Sequence, residues 1–278
     1  MLASSRVPVV FLACVNSYRH GKRLRYLVHE RKSIAKILQF DPNAPLYEPI
    51  QKGNLANQVF FKLLNKRTHA SRVTGLHFTG HWDAHQFKLE SDELETPITL
   101  KALSDLIGQL PNLKWVFLSG CANPALVELL LARDVPAVIV TQSNEKDPAC
   151  RAIAQTFYQH LAQGRSIMDA FDKVASIHPE MLPISAQYDV EDNTFDWIGK
   201  TGMFSDMKMP WGLYYLPANQ DRLLKPVETR RIIPFPVRNP KSNGWRTSVW
   251  ANGLQWAAGV LALGLLAAGI TMFLYPPF

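Results

Sequence analysis

From Val7 to Leu216 the chain alternates two kinds of hydrophobic pattern. One is the short, nearly unbroken apolar run rich in β-branched and aromatic residues: Val7 to Val15, Val73 to Thr79, Trp115 to Leu118 and Val135 to Thr141, with a briefer Tyr47 to Ile50 and a late Trp211 to Leu216. Runs of this length and composition read as strands buried on both faces. The other pattern recurs at helical spacing. In Leu27 to Phe40 an apolar stripe of Ile34, Ile37 and Leu38 leaves Glu30, Arg31, Lys32 and Lys36 outside it. Val59, Phe60, Leu63 and Leu64 repeat that spacing, as do Leu100 to Leu110, Leu126 to Leu131 and Cys150 to Ala162, the last closed by Gly164. A further helix begins at Ser166 with Ile167, Ala170, Phe171 and Val174 facing inward, and Ser166 with Asp169 forms a capping-box-like start.

Strands alternating with helices at this spacing predict one three-layer α/β domain around a mainly parallel sheet. Val9, Phe11, Leu76, Phe78, Phe117, Leu118, Val138 and Val140 are its expected central-strand core. In such a sheet, function gathers at the C-terminal ends of the strands. Asn16, His81, Cys121 and Gln142 all fall there. Val7 to Val15 reads as the first strand and not as a signal-peptide core, because it is brief, little positive charge precedes it, and a helical pattern follows at once.

After residue 218 the pattern changes. Asn219 to Gly244 is rich in Pro and basic residues without periodicity, which reads as a linker. Ser248 to Tyr275 holds no charged residue, and Trp256 to Leu274 is almost entirely apolar. At about 1.5 Å per residue that stretch is long enough to cross a bilayer. Trp245, Trp250 and Tyr275 sit near its two ends, where aromatic side chains favour the interface. The expected organisation is one α/β domain over 1–218, a basic Pro-rich linker over 219–247 and a single transmembrane helix over 248–275. Arg230, Arg231, Arg238, Lys241 and Arg246 precede that helix and nothing basic follows it, so the positive-inside rule keeps the domain cytoplasmic.

A net charge of +7 raises nucleic acid or an anionic membrane as partners. The basic run Arg19 to Arg25 lacks the interleaved aromatics of a nucleic-acid site and reads as a solvated loop, so no nucleic acid is expected. Three cysteines without CxxC spacing argue against a disulfide framework and for a reducing compartment. Neither GxxxxGK[ST], GxGxxG nor GxSxG occurs. His77, His81 and His85 are spaced by four with Asp83 among them, but no zinc-like ligand set accompanies them. No metal or cofactor is expected.

The candidate chemistry lies at two strand ends. Leu113 to Asn123 carries an apolar strand that stops in Ser119-Gly120-Cys121 just before a helix, a position where nucleophiles sit and where a helix N-terminus favours a thiolate. An inert buried cysteine is the plain alternative. Leu76 to His81 repeats the design and ends in a histidine. Leu-His-Phe-Thr-Gly-His (76 to 81), Val-Phe-Leu-Ser-Gly-Cys (116 to 121), Val-Pro-Ala-Val-Ile-Val-Thr (135 to 141) and the helix pair over Ala154 to Phe171 together resemble the CHAT domain family of caspase-like cysteine peptidases. The resemblance spans Val7 to Leu216 and is strongest from Val73 to Val174. It implies a caspase-type sheet and a His81–Cys121 dyad that cleaves protein substrates, with the backbone N–H groups of Trp82 and Cys121 at the oxyanion. It also implies a separate activator protein in a bacterial stress or defence pathway and, with the apolar segment, a bacterial inner membrane as the location. Trp82 stands where such enzymes carry glycine, and Ala122-Asn123 replaces the expected small hydroxyl residues. A catalytically silent, membrane-tethered scaffold is therefore the alternative function. The substrate pocket is expected from Asn16, Gln142, Glu145 and Asp147, whose two carboxylates suit a basic side chain before the cut.

Overall fold

The computed structural model describes residues 7–14, 26–39, 46–53, 70–80, 86–87, 98–120, 124–141, 148–189, 191–192, 194–198 and 210–227. The chain divides into two compact units, Met1–Phe235 and Pro236–Phe278, and the second lies wholly outside the described residues. Among the described residues no helix is long and apolar enough to cross a membrane. The apolar segment 248–275 lies outside them.

The first unit is built on an eight-stranded mixed sheet. In chain order its strands are β1 (Val9–Cys14), β2 (Glu48–Gly53), β3 (Val73–Gly80), β6 (Trp115–Gly120), β7 (Val138–Thr141), β8 (Leu182–Asp189), β9 (Thr194–Ile198) and β10 (Gly212–Tyr215). A separate antiparallel pair, β4 (Gln86–Phe87) with β5 (Ile98–Thr99), stands apart. The spatial order of the large sheet is β2-β1-β3-β6-β7-β10-β8-β9. The first five of these run parallel, β10 is antiparallel to β7, β8 is parallel to β10, and β9 closes the edge antiparallel to β8.

The strands are apolar on both faces because helices cover both, and alternation sorts their side chains into two cores. Val9, Phe11, Leu76, Phe78, Val116, Leu118, Val138 and Val140 pack with helix α2 (Leu100–Ile107) and helix α3 (Pro124–Leu131). Val10, Leu12, Trp115, Phe117 and Ile139 pack with α1 (Tyr26–Leu38), α4 (Pro148–Ala162) and α5 (Ile167–Ile177). The expected layers are thus present, and the eight residues expected in the central strands are all buried in them.

Local sequence explains the helix ends. Thr99 caps α2 by accepting from Ala102 N at 3.2 Å, and Ser166 caps α5 by accepting from Asp169 N at 3.0 Å. Gly164, at φ 79°, closes α4, with its N–H on Leu161 O and that of Arg165 on His160 O. Gly75 matters for a different reason. A Cβ there would lie 2.2 Å from the Trp115 ring, so the missing side chain is what lets the buried indole lie against β3.

Three features depart from expectation. Strands β8 and β9 did not stand out in the pattern, since Ile184, Ala186 and Tyr188 alternate with Pro183, Ser185 and Gln187 and give no apolar run. Their partners are aromatic instead: Tyr188, Phe195, Trp197 and Tyr214 succeed one another at centroid spacings of 4.6, 5.7 and 5.5 Å. The folded chain also continues past Leu216 into the segment read as linker, through a 3-10 turn (Pro217–Asn219) and helix α6 (Gln220–Leu224). Leu223 is fully buried there, and Asn219 and Arg222 hold Asp134 at 3.3 Å each. Finally, Glu30 is buried, not solvated beside the stripe of α1. The helical pattern over 59–64 lies outside the described residues.

Candidate active site

The candidate site is defined by the C-terminal ends of β1, β3, β6 and β7, which the parallel pairing aligns. Cys14 pairs with Thr79, Thr79 with Ser119, and Ser119 with Thr141. One step further, Gly80 is the register partner of Gly120. In the sequence His81 follows the first glycine and Cys121 the second. Neighbouring strands lie about 4.8 Å apart, so the two chains leave the sheet side by side, on adjacent strands at the same level. His81, Trp82, Cys121, Asn16, Gln142, Glu145 and Asp147 themselves lie outside the described residues.

Gly120 ends β6 at φ 121°, a region that L side chains rarely adopt. The backbone thus departs from strand geometry at the residue before the cysteine. Four residues after Gly120, Pro124 starts α3, at the first helical position that proline favours. The positive end of that helix's dipole lies on the strand-end side of the sheet, which favours a thiolate over a thiol among groups near it.

Beneath these strand ends is a buried polar cluster that the sequence reading did not foresee. Register places His77 level with Phe117, and Thr79 level with Ser119, on the face covered by α1 and α4. All four are buried. Glu30, on α1, reaches down to this row: its Oε1 accepts from Ser119 Oγ at 3.3 Å and lies 3.3 Å from His77 Nε2. His77 Nε2 is also 2.7 Å from Thr79 Oγ1, and its Nδ1 is 3.3 Å from the Tyr158 hydroxyl on α4. The indole N–H of Trp115, which can only donate, reaches the same hydroxyl at 3.5 Å. Nδ1 thus faces the Tyr158 hydroxyl while Nε2 faces Glu30 Oε1 and Thr79 Oγ1 together, so three groups jointly fix the ring's orientation. The imidazole is further enclosed by Phe117 and Tyr158, with centroids at 4.9 and 5.6 Å.

A signal for this cluster exists in the sequence. Glu30, Ile34 and Leu38 are spaced by four, which puts Glu30 on the buried face of α1. His77 and Thr79 share one face of a strand whose other face, Leu76 and Phe78, is apolar. Beyond the cluster, Thr141 Oγ1 is buried with no hydrogen-bond partner among the described residues.

No family model matches the chain, and no curated protein matches it. Among solved structures it is similar to the Drosophila initiator caspase Dronc, at 13% identity over 62% of this chain and 72% of that one, with a TM-score of 0.40. It is likewise similar to pro-sf-caspase-1, at 13% identity over 77% of this chain and 93% of that one, with a TM-score of 0.41.

Proposed function

We propose that the chain is a caspase-like cysteine endopeptidase with Cys121 as nucleophile and His81 as its acid–base partner. The observation that carries this reading is the pairing of Gly80 with Gly120 on adjacent parallel strands, since each glycine is followed by one member of the pair. The positive φ of Gly120 supports it, because a strand that must present a nucleophile turns out of the sheet at that point.

The chemistry runs in two steps. The Cys121 thiolate attacks the peptide carbonyl, the His81 imidazolium gives its proton to the departing amine, and a thioester remains on sulfur. A water molecule then loses a proton to the neutral imidazole and attacks the thioester, releasing the acid and restoring the thiolate–imidazolium pair. Backbone N–H groups of Trp82 and Cys121 hold the oxyanion, and a carboxylate as third catalytic group is unnecessary because a thiolate needs less activation than a serine. Asn16, Gln142, Glu145 and Asp147 form the pocket for the residue before the cut, with a preference for a basic side chain. The segment 248–275 tethers the enzyme to a membrane with the domain on the cytoplasmic side, and a separate protein activates it.

An electrophilic peptide probe tests the reading on the full chain in detergent micelles. Wild type should label at Cys121, Cys121→Ala should not label, and His81→Ala should label far more slowly. Trp82→Gly addresses the oxyanion site: a rise in turnover means the indole obstructs it, a fall means it forms a substrate wall. No labelling at Cys121 in either wild type or Trp82→Gly, with any activator, would leave the membrane-tethered scaffold.

A further inference from the structure

We propose that Glu30 is a positioning residue for the dyad: one buried carboxylate on α1 ties the two strand ends that carry Cys121 and His81. Its effect on turnover rests on the peptidase reading above, but its effect on the thiol does not.

The connection is direct to Ser119 and passes through His77 to Thr79. Ser119, two residues before Cys121, donates to Glu30 Oε1 at 3.3 Å. His77 Nε2 lies 3.3 Å from that same oxygen and 2.7 Å from the hydroxyl of Thr79, two residues before His81. The carboxylate therefore joins Ser119 of β6 to His77 of β3, and His77 carries the link up to Thr79, the residue level with Ser119. Tyr158 holds the imidazole from the opposite side at 3.3 Å, so the ring cannot swing away from Glu30 without breaking a second contact.

Core packing alone does not call for this arrangement. Ile34 and Leu38, one and two turns further along the same face of α1, are apolar and buried. An apolar residue at position 30 would extend that face without the desolvation that a carboxylate entails. A buried, satisfied polar network specifies one arrangement of the groups it joins, whereas apolar contacts tolerate sliding. The two strands whose relative placement sets the distance between nucleophile and base are the ones so joined. Misplacement of reacting groups by about 1 Å can lower a rate about 100-fold, so a tether at this point governs rate more than affinity.

The experiment compares wild type, Glu30→Leu and Glu30→Gln as full chains in micelles. It reads thermal stability, peptide turnover, and the iodoacetamide alkylation rate at the Cys121 peptide by mass spectrometry. Glu30→Leu should lower kcat about 10- to 100-fold with KM nearly unchanged. It should slow alkylation as well. Glu30→Gln, which keeps an oxygen acceptor in the same place, should recover most of both. If Glu30→Leu does not fold, Ser119→Ala severs the cysteine side alone and should slow alkylation at a wild-type melting temperature. A folded Glu30→Leu or Ser119→Ala with wild-type alkylation overturns the proposal, as does Glu30→Gln behaving no better than Glu30→Leu. If Cys121→Ala leaves turnover unchanged while alkylation still responds to Glu30, the peptidase reading fails and the tether stands.

Discussion

Gly120 offers a way to separate strain in the fold from strain at the site. Replacing it by alanine places a Cβ on a residue held at φ 121°, at a cost of about 1–3 kcal/mol. A loss of about 2 kcal/mol lowers the folded-to-unfolded ratio about 30-fold. The backbone can escape part of that strain by relaxing toward negative φ, which moves the next residue, Cys121. Gly164 is the matched control. It too has positive φ, 79°, and among the described residues a Cβ there would meet only Leu46 Cδ1, at an ordinary 3.6 Å, so the expected loss is conformational. For a left-handed residue that is about 1–2 kcal/mol. Urea denaturation should find both alanine variants destabilised. Iodoacetamide alkylation of Cys121 under native conditions should distinguish them: Gly164→Ala should match wild type, while Gly120→Ala should be about tenfold slower or more. Equal alkylation rates in the two variants would refute the argument that the turn at Gly120 aims the cysteine, and an undestabilised Gly120→Ala would refute the strain itself.

Other outcomes follow from packing and charge. Phe117→Ala empties a fully buried site ringed by His77, Phe157 and Tyr158 at 4.9, 5.7 and 6.0 Å. It should lose about 3–5 kcal/mol in urea denaturation, and a loss below about 1 kcal/mol would mean that this layer is not packed as described. Gly75→Ala drives a Cβ into the Trp115 ring and should lose at least about 1–3 kcal/mol. Trp115→Leu should relieve that clash, so the double variant should be less destabilised than the sum of the singles; simple additivity would contradict the contact. Burial raises the Glu128 carboxyl above its ordinary value, and a hydrogen bond from Trp197 offsets only part of this. The folded state therefore holds a proton that the unfolded chain has already released, and this group's contribution to stability falls as pH rises from the ordinary carboxyl range through the raised folded value. Glu128→Gln keeps an acceptor for Trp197 and should raise the melting temperature at pH 7 relative to its effect at pH 4; an equal change at both would remove the linkage.

The central sheet was legible because burial on both faces leaves a loud signal. Trp115 to Leu118 and Val135 to Thr141 have almost no polar residue to confuse the pattern, and the strand ends follow from their abrupt stop at small or polar residues. Order within the sheet was not legible, because pairing between β7 and β10, or β8 and β10, depends on contacts distant in sequence. The edge was faint for a local reason: β8 is only half covered, so Pro183, Ser185 and Gln187 break its apolar run. At the site, the two motif residues stand out in the sequence as chemistry, whereas Glu30 looks there like a solvated helix charge. A buried carboxylate and an exposed one look alike in sequence until their partners are known. Those partners are His77 and Ser119, 47 and 89 positions away.

The place of β10 has a consequence for how this protein is made. It is the last strand of the sheet in sequence, yet it sits between β7 and β8, not at an edge. Until Gly212–Tyr215 leaves the ribosome, β7 and the β8–β9 hairpin have no shared partner and each exposes an unpaired side. Seventeen residues separate the end of β9 at Ile198 from the end of β10 at Tyr215, roughly 1–3 s of translation at ordinary rates. During that interval Val138, Val140 and Ile184 lack the neighbour, Tyr214, with which they share a core, and the nascent chain carries two sticky borders in one molecule. Completion of the sheet is thus a late, C-terminal event in synthesis, and chains that stop before Gly212 should be clients of chaperones, not partly working domains.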